Sequence, residues 1–134
     1  MEPNPYLVFS STSYVIVAAT CYGTGYQYLA LLYSVLTFVS MIYHATKWQP
    51  LLYLDYPLLH TANIWTLACI YQGGWRTLPY YCLWFAYITT IYYYGYLTKS
   101  LIWSSDLDTA TRWHMSLHIS SALFSPIFYL SRSL

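Results

Sequence analysis

The sequence predicts an all-α fold, a multi-pass transmembrane bundle of about five helices, and three observations predict it. Of the 134 residues, 58% are hydrophobic and only 7% are charged, whereas a water-soluble domain carries about 25% charged residues. The apolar segments are apolar almost all round, as a helix surrounded by lipid must be, rather than along one stripe. The strict alternation of a barrel strand is missing, so a backbone in hydrocarbon can satisfy its own hydrogen bonds only as helices. The chain reads as one transmembrane domain, 1–134.

A span needs about 20 residues to cross the hydrocarbon core, and the chain divides into five near 6–22, 27–46, 52–72, 77–99 and 112–131. The first follows Met1-Glu2-Pro3-Asn4-Pro5, which lacks the basic region of a cleavable signal peptide, so this span is expected to be retained. It stops at Gly23 and Gly25, and the second stops at Lys47 to Pro50. The third ends at Gly73, Gly74 and Arg76, and the fourth at the polar stretch from Ser104 to Arg112 with Asp106 and Asp108. These are the glycines, prolines and charges that punctuate helices. Lys47, Lys99 and Arg112 fall on one side against Arg76 and Arg132 on the other, too even a split to orient the chain by its positive loops.

The composition also excludes function classes. A net charge of +1 with no basic run offers no surface for neutralising phosphates, which rules out nucleic acid as a partner and leaves membrane lipids. Cys21, Cys69 and Cys82 lie far apart in or beside apolar segments and are expected as small buried hydrophobes, not as a disulfide framework. The 18 Tyr and 6 Trp suit span ends, where an amphipathic ring anchors at the interface. Mid-span rings such as Tyr87 and Tyr92 to Tyr94 need hydroxyl partners on other helices or on neighbouring membrane-protein subunits.

An ionisable side chain inside a span is expensive and marks a functional position. Ser40 and His44 lie four apart near the end of the second span, and His114 and His118 lie four apart near the start of the fifth, so each pair shares a helix face. Asp55 opens the third span in Leu54-Asp55-Tyr56-Pro57. With five crossings, all three places fall on one side of the membrane. Three neutral imidazoles are the smallest protein set for a catalytic zinc that keeps a fourth position for water. Asp55 is the candidate to take a proton from that water or orient an imidazole, and Ser40 the candidate outer hydroxyl. His60 points about 140° from Asp55 on its helix and is left outside the site.

The ordered trio of Ser40-x-x-x-His44, Leu54-Asp55-Tyr56 and His114-x-x-x-His118 resembles the signature of the CREST superfamily of membrane hydrolases. That group includes the alkaline ceramidases, the progestin and adipoQ receptors and myomaker, and Tyr43-His44-Ala45 is most similar to the myomaker branch. The resemblance implies zinc held by His44, His114 and His118, with catalytic Asp55 and Ser40 beside it, and hydrolysis of a lipid amide or ester. Family members have seven spans. Between Asp55 and His114 this chain has room for one helix where they hold three, and the missing pair would help wall a lipid pocket.

Plainer readings stand beside this one. Asp55 fits a helix N-cap before Pro57, Ser40 can bond back to the Leu36 carbonyl, and His114 and His118 can reach for headgroups beside Arg112 and Trp113. Two His from different helices could also hold a b-type haem, but nothing beyond the His themselves suggests it. The competing function is a non-catalytic accessory subunit of a larger membrane complex, for example a mitochondrial respiratory or ATP synthase assembly. A transporter or channel is weaker, because no span carries a row of charges. The expected location is an integral membrane position, in an endomembrane or the mitochondrial inner membrane.

Overall fold

The computed structural model describes residues 3–73 and 75–130. Among these there is no strand, and nearly every residue is helical. Gly74 and Arg132, used above to place a break and to count charges, lie outside the described residues.

Asn4 caps the first helix: its side-chain oxygen accepts from the backbone N–H groups of Tyr6 and Leu7, and Pro5 fills the first helical position, where a missing N–H costs nothing. Helix α1, Pro5–Ser11, breaks at Thr12 and Ser13 and resumes as α2, Tyr14–Gly23. Gly25, at φ 85°, turns the chain into α3, Gln27–Thr46. Lys47 ends α3 in the left-handed region at φ 55°, which costs a residue with a Cβ about 1–2 kcal/mol. Only Lys47 and Trp48 separate α3 from α4, Gln49–Gly73.

A short 3-10 turn, Trp75–Thr77, leads into α5, Leu78–Thr89. A π-helical stretch at Thr90–Tyr94 joins it to α6, Gly95–Thr98, in one rod. Gly95 lets the following turn pack close, since a Cβ there would sit 2.9 Å from the Ser100 carbonyl oxygen. The last helix, α7, is Leu107–Leu130. It begins about five residues before the expected fifth span because Asp106 is its cap, accepting from the Thr109 N–H at 3.1 Å. The hydrogen bond from the Thr109 hydroxyl, with this backbone bond beside it, holds the Asp106 carboxyl below the usual carboxylate range.

Five antiparallel rods result, four of them close to the predicted spans. The broken first rod packs against both α3 and α7, and α7 also touches α4 and α5. Two of the five, Pro5–Gly23 and Gln27–Thr46, are long and apolar enough by length and composition to cross a membrane.

Polar and apolar side chains share the interior, while many large apolar side chains lie outside. Ser10, Ser11, Thr37, Ser40, His44 and His118 are buried, while Leu31, Val35, Phe38 and Ile42 line an exposed apolar face of α3. On α7, Ser121 and Ser125 face inward and Leu123 faces out. Apolar packing still closes the far end of the bundle, where Val17, Cys21, Leu29, Tyr33, Leu36 and Tyr129 form the largest buried cluster. Within it the Tyr129 hydroxyl meets Thr66 at 2.6 Å and Tyr33 at 3.4 Å. Cys21 and Cys69 are buried as expected, but Cys82 is exposed.

Candidate metal centre

His44, in the last turn of α3, and His114 and His118, one turn apart in the N-terminal half of α7, meet at the end of the bundle where Lys47 and Trp48 turn the chain. One ring nitrogen from each lies within 4.8 Å of the others. Ring centroids are 5.0 Å apart for His44–His114 and His114–His118 and 5.5 Å for His44–His118. Four bonds of about 2.0–2.1 Å in a tetrahedron would set nitrogens about 3.4 Å apart, so closing on an ion needs rotamer adjustment and no backbone rearrangement. His118 and His44 are 4% and 1% exposed. They turn into the bundle, and headgroup contact does not account for them.

Ser40, one turn before His44, does not bond back to Leu36. Its hydroxyl meets the Ser11 hydroxyl at 3.2 Å and lies near the Asp55 carboxyl group. Asp55 is no N-cap: α4 starts at Gln49, which places Asp55 in its second turn, just before the in-helix Pro57. The expectation that Asp55 opens the span is thus corrected. The earlier start follows from the left-handed Lys47, which leaves Pro50 next to the helix start, where proline is tolerated. His60 is exposed, outside the cluster as expected.

Two buried atoms here have no hydrogen-bond partner, His44 Nε2 and Asp55 Oδ1. Leaving such groups unsatisfied costs about 1–3 kcal/mol each, and more for a charged group. A cation would satisfy the first, because the imidazole nitrogen can donate a lone pair. The donor set of three imidazoles thus fits a metal ion of the zinc type.

Lys47 complicates the cluster. Its Nζ lies 3.3 Å from His44 Nδ1 and 5.2 Å from the centre of the Tyr43 ring, and burial lowers its pKa. An ammonium can only donate, so this contact needs a lone pair on Nδ1. A neutral His44 coordinating through Nε2 carries its proton on Nδ1, and the lysine must then swing away. Lys47→Gln is therefore expected to tighten zinc binding roughly three- to tenfold by removing a nearby positive charge. Chelator competition checks this, and weaker binding would mean that the lysine supports the site.

The sequence reading missed the contribution of the first rod. Ser10 Oγ lies 2.8 Å from His118 Nδ1, and Ser13 Oγ donates to the His118 carbonyl at 3.1 Å. The Asn4 backbone N–H donates to the His44 carbonyl at 3.1 Å, and Asn4 Nδ2 donates to Thr111 Oγ1 at 2.8 Å. The visible signal was the unbroken polar run Ser10-Ser11-Thr12-Ser13 inside an otherwise apolar span. Tyr14, at the start of α2, closes the inner side with its ring centroid 5.3 Å from that of His118. An apolar groove of about 510 Å³, lined by Phe9, Val15, Ile16, Met115 and Ile119, runs along the outside of this contact and includes Ser10 in its lining. No family model matches the chain, and no curated protein or solved structure shows significant similarity to it.

Proposed function

We propose that this chain is an integral membrane protein that binds zinc through His44, His114 and His118 and hydrolyses an amide or ester bond of a lipid. The observation that carries the reading is the meeting of these three imidazoles from two helices distant in sequence, one of them with a buried, partnerless Nε2. The order of motifs, which resembles the CREST superfamily, is consistent with it. So is the burial of serines and imidazoles beneath an apolar exterior, which suits a solvent of hydrocarbon.

When bound, zinc supplies a Lewis acid that polarises a carbonyl and lowers the pKa of water to about 7. The rest falls to the chain. The Ser40 hydroxyl lies near the Asp55 carboxylate, and Ser11 holds Ser40 in turn. Asp55 Oδ1 remains free to take a proton from the attacking water and return it to the leaving group. The groove beside Ser10 gives an acyl chain an apolar path along the first rod.

The direct test is the release of fatty acid from long-chain amides and esters by protein reconstituted in lipid nanodiscs. Release should stop when a chelator strips the metal and return with added zinc. Chelator-insensitive release, or none from zinc-loaded protein, would overturn the catalytic reading.

The accessory-subunit reading is favoured by one observation. Tyr93 and Tyr94 are 71% and 57% exposed, whereas Tyr87 finds its partner inside the chain by donating to Ser116 Oγ at 2.8 Å. The outward rings would suit a neighbouring membrane protein in a respiratory or synthase complex. Co-purification at fixed stoichiometry would support this, and a stable, active monomer would exclude it.

A further inference from the structure

We infer that Ser10 is a positioning residue that fixes the tautomer of His118, holding the proton on Nδ1 so that the Nε2 lone pair faces His44 and His114. The inference rests on the metal reading above and adds a component from the first rod. A ligating imidazole needs an acceptor for its second ring nitrogen, which sets both the tautomer and the ring plane. Ser10 Oγ is 2.8 Å from His118 Nδ1, and both residues are buried, at 3% and 4% exposure, so water does not compete for the contact.

A hydroxyl has a single proton, and that of Ser10 has a place to go other than the imidazole. The Leu7 carbonyl, one turn back, lies 3.1 Å from Ser10 Oγ. With its proton directed there, Ser10 offers a lone pair to His118, and the imidazole must donate from Nδ1. The reverse arrangement would place the proton on Nε2, facing the other two rings, and would leave no ligand nitrogen.

The backbone holds this contact in register. The break at Thr12 and Ser13 frees Ser13 Oγ to grip the His118 carbonyl at 3.1 Å, so two hydroxyls of the first rod hold one histidine, one by its ring and one by its backbone. Among the three imidazoles the roles differ. The second nitrogen of His44 faces the cation Lys47, whereas that of His118 faces a neutral hydroxyl able to accept. His118 is therefore the ligand already set for metal.

The test has a metal-free arm and a metal arm. In metal-free protein, nitrogen-15 NMR of the His118 ring should show the Nδ1–H tautomer. Ser10→Ala should shift it toward the Nε2–H form, and Ser10→Thr should restore it. In chelator competition, Ser10→Ala should weaken zinc binding about 10–100-fold, the usual cost of losing such an outer partner, with Ser10→Thr recovering most of it. Ser13→Ala, which touches the same residue only through its carbonyl, should stay within about threefold of the parent on the same scale.

An Nε2–H tautomer in the parent protein would overturn the inference. So would Ser13→Ala weakening zinc as much as Ser10→Ala, because the effect would then be one of packing. If the parent holds no zinc while the NMR arm behaves as described, the metal reading fails and the positioning contact stands.

Discussion

Replacing His118 with alanine is expected to empty the metal site, weakening zinc binding by more than the 10–100-fold that an outer contact costs. His118 supplies one of only three ligand nitrogens, and a two-coordinate remnant on His44 and His114 cannot compete with water and chelator for the ion. The substitution also strands the Ser10 hydroxyl, so the folded state should be checked by circular dichroism. His60→Ala, which removes an exposed imidazole outside the cluster, should keep its zinc. Elemental analysis of the purified proteins decides the matter, and equal metal in parent and His118→Ala would sink the three-histidine site.

The second large effect is expected at Asp55. Asp55→Asn keeps the shape but removes the group able to take a proton, so hydrolysis should fall by about 10²–10⁴-fold with zinc content unchanged. Retention of most of the activity would remove Asp55 from the chemistry. Loss of zinc along with activity would instead make Asp55 a ligand. Because the amide is neutral, the variant buries no charge, and its melting temperature should not fall below that of the parent.

These expectations rest on features that were unequally legible in the sequence. The number of rods and the turns at Gly25 and Lys47 could be read because hydrophobic length and helix punctuation are local signals. The clustering of His44, His114 and His118 was legible for a different reason: counting crossings places the end of one span and the start of another at one level. Asp55 was misread as opening its span because Pro57 resembles a first-turn proline, and nothing local says that Pro50 takes that position instead. In α7, Asp106 and Thr109 looked like part of a polar break, whereas they form the helix start.

Ser10 and Ser11 show the limit most clearly. Both hydroxyls bond back to the Leu7 carbonyl, as serines in apolar helices commonly do. Only the packing of the first rod between α3 and α7 gives each a second partner, His118 for one and Ser40 for the other. A pattern within one helix cannot carry that information.

The two-residue link at Lys47 and Trp48 works as a ruler. With Lys47 already in a strained left-handed conformation, the link has no slack, and α4 must start at a fixed height and angle relative to α3. One added residue taken up by the helix would rotate everything beyond it by about 100° and advance it about 1.5 Å, carrying the Asp55 carboxylate away from Ser40. Loop length at this corner is thus a constraint on chemistry, although the two residues spanning it contribute no ligand of their own.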